Sequence, residues 1–71
     1  MPNFYSSDRI IRALEKRGFI FISQRGSHKK FRKVNAKKLT VIVPAGRKEV
    51  PWGTFYSILR QSHLKIGDFK N

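Results

Sequence analysis

The chain has no cysteine, so disulfides cannot brace it and thiolate metal sites are excluded. It has no long hydrophobic run either. A membrane-spanning helix needs about 18 apolar residues or more, and the longest run here is residues 19–22. Residues 1–9 carry no apolar stretch of the signal-peptide kind. Together these absences lead to the expectation of a cytoplasmic protein with no membrane partner. Negative charge is scarce. Four Asp and Glu stand against sixteen Lys and Arg, for a net charge of +12. The chain is also short, at 71 residues. A domain of roughly 60 residues buries only about 60% of the surface its unfolded chain exposes. One domain over residues 1–71 is therefore expected, too small for an enzyme with a nucleotide cofactor, and no small-molecule cofactor is expected.

What is present is a basic chain that can still fold. Hydrophobic residues make up 39% and aromatics 13%, enough for a core, so this is not a disordered basic tail. Like-charge repulsion on so small a body calls for an anionic partner. RNA, DNA, an anionic membrane surface and an acidic protein are the possibilities, and nucleic acid comes first.

The pattern of residues predicts a helix over residues 7–17. Ser6 or Ser7 caps it, Asp8 sits in its first turn, and Gly18 stops it. Ile10, Ile11 and Leu14 fall on one face and Arg9, Arg12 and Lys16 on the other. Three strands follow. The first is Phe19-Ile20-Phe21-Ile22-Ser23, and Arg25-Gly26-Ser27 turns the chain. In the second, His28–Val34, Phe31 shares a face with Lys29 and Lys33, while His28, Lys30 and Arg32 share the other. Asn35-Ala36-Lys37 turns the chain again. The third strand covers residues 39–43 and ends at Pro44, which cannot donate to a ladder. A second helix starts near Pro51, with Trp52, Phe55, Ile58 and Leu59 as its apolar stripe and Ser62 and His63 at its end. Residues 66–69 make a last turn that packs Ile66 and Phe69 on the core. A three-stranded sheet needs a covered face, so both helices are expected on one side, with the basic row of the second strand bare on the other.

Few residues here can do chemistry. Asp8, Glu15, Glu49 and Asp68 are scattered singly, so no metal site is expected. No Ser-His-Asp set, Cys nucleophile or phosphate-cradling glycine loop can be assembled. What remains is one histidine among cations, in Gly26-Ser27-His28-Lys29-Lys30-Phe31-Arg32-Lys33. That cluster suits RNA cleavage, because the substrate brings its own nucleophile, the 2′-hydroxyl. The protein then supplies a base that works near neutral pH, the role of His28. Cations stabilise the extra negative charge on phosphorus. Lys29, Lys30 and Arg32 are expected to hold the scissile phosphate, Ser27 to position one of its oxygens, and Arg9, Arg12 and Lys16 to track the RNA backbone. The alternative is a non-catalytic basic module that binds RNA through phosphate and 2′-hydroxyl contacts.

Read in order, the chain shows Ser7 opening a helix, Leu14-x-x-x-Gly18-Phe19, Gly26-Ser27-His28-x-x-Phe31, Val43-Pro44, and Gly53-Thr54-x-x-Ser57-Ile58-Leu59-Arg60-Gln61. This pattern resembles the HicA (YcfA-like) toxins of bacterial toxin–antitoxin pairs over residues 7–69. The resemblance implies an α+β fold like the double-stranded-RNA-binding domain, α-β-β-β-α, with a three-stranded antiparallel sheet and both helices on one face. It also implies an mRNA interferase, an endoribonuclease with His28 as catalytic histidine, and an acidic HicB-type antitoxin as partner. Many members carry further histidines where this chain has Lys29 and Ala45-Gly46. The leaving-group proton then falls to Lys29, Lys30 or water.

Overall fold

A computed structural model describes residues 5–34 and 38–70. The elements are α1 (Ser7–Lys16), β1 (Ile20–Arg25), β2 (His28–Val34), β3 (Lys38–Pro44) and α2 (Trp52–Ser62), then a 3-10 turn at Ile66–Phe69. The strands form one antiparallel sheet in the order β1-β2-β3. This is the expected α-β-β-β-α architecture. The turn expected at Asn35-Ala36-Lys37 lies outside the described residues.

Helix α1 starts where the Ser6 Oγ accepts the Arg9 N–H at 3.1 Å. It ends one residue earlier than expected, at Lys16, in a Schellman closure. The Phe19 N–H donates to the Leu14 carbonyl and the Gly18 N–H to the Glu15 carbonyl, both at 3.0 Å. That closure needs a positive φ at Gly18, which has +95°. It also turns Phe19 inward, so Phe19 belongs to the core and not to the first strand or the bare face. The buried row of α1 is Ser7, Ile10, Ala13 and Leu14. Ile11 is only half-buried, because the row three and four residues apart runs through Ile10 and Leu14.

Phe31 of β2 and Val41 and Val43 of β3 point to the helices. With Phe55, Ile58, Phe69 and Val50 they make the core. Burying each such large side chain contributes about 1.5–3 kcal/mol. The edge of β3 is covered. The Ile42 N–H donates to the Gln61 Oε1 at 2.8 Å, and the Gln61 Nε2 is steadied on the Ser57 Oγ at 2.9 Å. Pro44 adds no free N–H there. Among the described residues nothing pairs with the other edge, and all six residues of β1 are exposed. At the C-terminal end Phe69 packs against Phe55, with ring centroids 5.2 Å apart. Ile66, expected beside it, stays exposed. Asp68 bonds the Lys65 N–H and pairs with Arg17 at 2.8 Å, which pins the turn with its Phe69 end inward.

Helix α2 ends on His63, which sits at φ +60° in the left-handed region usually held by glycine. Replacing His63 with Gly is expected to relieve about 1 kcal/mol of backbone strain, net of the freer unfolded chain. Thermal unfolding followed by circular dichroism then shifts up by about 4–8 °C for a domain this size. An unchanged or lower midpoint means the αL position is not strained.

Candidate nucleic-acid interface

Because Phe31 points inward, strand alternation sets His28, Lys30 and Arg32 on the face that, among the described residues, no helix covers. Successive members of that row stand about 6.6 Å apart along the strand. His28 opens β2 directly after the Gly26-Ser27 turn. Gly26 has φ +59° and Ser27 has no positive φ, the pattern of a two-residue hairpin turn that takes glycine first. A Cβ at Gly26 would meet nothing within 4 Å, so conformation and not space demands the glycine. The Gln24 Nε2 donates to the Gly26 carbonyl at 2.9 Å, and the Ala45 N–H to the Ser27 carbonyl at 2.7 Å. Ser27 is exposed next to His28.

The cross-strand neighbours of His28 are Arg25 and Pro44. Pro44 is held by a buried serine. The Ser7 Oγ donates to the Pro44 carbonyl at 2.6 Å and accepts the Arg47 N–H at 3.0 Å, while the Ser7 N–H donates to the Arg47 carbonyl at 2.8 Å. The first turn of α1 is thereby stapled to the strand beside His28. The surroundings are fixed, yet the imidazole is exposed and bonds to nothing among the described residues.

Ser23, Arg25, His28, Lys30 and Ile42 line an open depression of about 340 Å³. Ser23 and Arg25 are residues that sequence reasoning missed. Plain alternation from Ile20 puts Ile22 and Gln24 on this face. A bulge between Phe21 and Ser23 inserts one residue and moves Ser23 and Arg25 there instead. No local motif marks that bulge.

Other expected members lie elsewhere. Lys29 is on the helix side with Phe31, half-buried, and does not share the face of His28. Arg9, Arg12 and Lys16 line a separate groove of about 460 Å³ between α1 and the 3-10 turn, with Asp68 and Phe69 on its far wall. That groove is in the helix layer, on the other side of the sheet. Arg32 is on the open face, and its Nε is buried without a hydrogen-bond partner. Among the described residues the ion pair found is Arg17–Asp68, so the cations around His28 have no carboxylate against them.

A family model described as the HicA toxin of bacterial toxin–antitoxin pairs matches residues 7–64. The chain belongs to the HicA toxin family. A comparison with curated protein sequences gave no match. Membership in the HicA family makes the chain a toxin component and implies an antitoxin partner. Several residues of the HicA-like pattern have structural jobs here. Ser7 staples α1 to β3, Gly18 closes α1, Phe31 fills the core, and Ser57 with Gln61 clamps the β3 edge. His28 does none of these, and its exposed ring among unpaired cations is the chemically free part of the HicA pattern.

Proposed function

We propose that this HicA-family chain is a cytoplasmic mRNA-cleaving endoribonuclease that works without a metal and is neutralised by an acidic HicB-type antitoxin. The observation that carries the reading is the placement of His28, exposed on the uncovered sheet face between Arg25 and Lys30. Single-stranded RNA lies across this face with a phosphate against Lys30, Arg25 and Arg32. His28 takes the proton from the adjacent 2′-hydroxyl, and the 2′-oxygen attacks phosphorus. The cations stabilise the added negative charge. The bond from phosphorus to the 5′-oxygen breaks, and that oxygen takes a proton from the charged His28, Lys30 or water. The products are a 2′,3′-cyclic phosphate and a 5′-hydroxyl. Among the described residues no three His, Asp or Glu side chains gather as a metal site needs.

The second reading is an RNA-binding module that does not cut. It is favoured by the lack of a companion histidine beside His28, since His63 ends α2. Incubating the purified chain with RNA in EDTA separates the two. Cleavage leaving 2′,3′-cyclic ends is expected, and a 2′-methoxy group at the cut site is expected to block it. Intact RNA supports the binder. Cleavage that EDTA stops, or that proceeds past the 2′-methoxy group, rejects the mechanism.

A further inference from the structure

The loop at residues 45–50 joins two cationic surfaces that the fold places on opposite layers. Its start is bonded to the turn before His28, through the Ala45 N–H and the Ser27 carbonyl at 2.7 Å. Its middle is bonded to the first turn of α1, through both backbone groups of Arg47 on Ser7. With the backbone engaged, the Arg47 and Lys48 side chains are left exposed. The loop that carries them thus ties the turn before His28 to the first turn of α1, the helix whose Arg9, Arg12 and Lys16 line the groove.

We infer that these cations form one continuous belt, running from the sheet face over the loop at residues 45–50 to the α1 groove, and that it holds the RNA strand flanking the cut. This rests on the reading of the sheet face as the RNA-cleaving site. Asp8 and Glu49 border the belt, and Asp68 in the groove is already engaged by Arg17 and the Lys65 N–H. The balance of the belt is therefore strongly positive. Aromatic faces lie beside it. Arg9 sits over the Tyr5 ring at 5.0 Å, Tyr5 meets Trp52 at 6.2 Å, and the exposed Tyr56 stacks on Trp52 at 5.8 Å. Tyr5 and Trp52 are half-buried and Tyr56 is exposed, and cations set beside such rings match phosphates interleaved with bases, which favours RNA over an acidic peptide.

The shortest extent of the molecule across its Cα atoms is 19 Å. A very short RNA on the sheet face therefore does not reach the α1 groove, whereas a longer one does. The test uses 2′-methoxy RNA of about 4 and about 16 nucleotides, lengths that bracket the site sizes of small single-strand binders. Binding is read by fluorescence anisotropy as a function of salt, with the wild-type chain and with the Arg47→Ala/Lys48→Ala double variant. The salt slope is the readout, because extra binding registers on a longer strand raise affinity but not the slope. The 16-mer is expected to show the steeper slope. The double variant is expected to flatten it by about 1.4, two phosphate contacts at about 0.7 each, and to leave the 4-mer slope unchanged. The backbone bonds of Arg47 persist in the variant, and an unchanged 4-mer slope also shows that it is folded. Equal slopes for both lengths, or a variant that lowers both alike, overturn the belt while the sheet-face reading stands. No binding at either length overturns both. A poly-glutamate peptide is the third arm. Loss of its binding in the variant, with RNA binding intact, assigns the belt to an acidic protein and overturns the RNA track.

Discussion

Replacing His28 with alanine is expected to lower RNA cleavage by about 10²–10⁴-fold, the usual contribution of a positioned general base. The fold is expected to survive, because the imidazole is exposed and bonds to nothing among the described residues. Neither the core around Phe31 nor the Ser7 staple depends on it. Thermal melts of His28→Ala and wild type should therefore coincide. RNA affinity should change little, since Lys30, Arg25 and Arg32 keep their charge. The measurement is single-turnover cleavage of a labelled RNA in EDTA. A rate constant within a factor of a few of wild type removes His28 from the chemistry. In a bacterial host, induction of wild type is expected to stop growth and fragment mRNA, and induction of His28→Ala to do neither. Growth arrest that persists with His28→Ala points to the non-cutting reading, in which RNA occupancy alone does the harm.

The second large effect concerns inhibition. The sheet face mixes cations with apolar side chains. Ile20, opposite Arg32 on this face, is 62% exposed, and Ile42 lines the depression. An exposed patch of this kind on so small a body fits a protein partner. An acidic antitoxin that covers it offsets part of the +12 charge, buries the apolar groups and occludes His28 in one contact. Nearly complete loss of cleavage is expected on adding an acidic antitoxin that binds this face. Hydrogen exchange should slow across residues 23–32. Electrostatic steering should make association fast and salt-sensitive, and Lys30→Glu should slow it by about tenfold or more, since charge at a rim acts mainly on the on-rate. Protection confined to the outer faces of α1 and α2, with β2 still exchanging freely, rejects occlusion of the site. Unaltered association of Lys30→Glu removes the electrostatic part of the argument.

How much of this was legible beforehand differs from element to element. α1 could be read from Ser6, Asp8 and Gly18, because capping and a left-handed stop are local chemistry. The His28, Lys30 and Arg32 row could be read because a strand alternates with period two and Phe31 marks the inner face. The position of Phe19 could not, since its backbone completes the helix closure before the strand starts. Ile66 was misplaced because a short turn is oriented by what pins it, here Asp68 against Arg17.

Composition, alternation and the Gly-Ser-His pattern thus determined the strongly basic charge of the chain, the α-β-β-β-α order and the histidine at the start of β2. These depend on residues close together in the chain, where backbone geometry and side-chain type are sufficient. The tertiary structure alone decided what stands next to that histidine. The bulge at Ile22 brings Ser23 and Arg25 to it, the opposite pleat takes Lys29 away, and the sheet itself separates Arg9, Arg12 and Lys16 from it. Such neighbours are set by the pairing of strands and the packing of layers, contacts distant in sequence that local pattern does not encode.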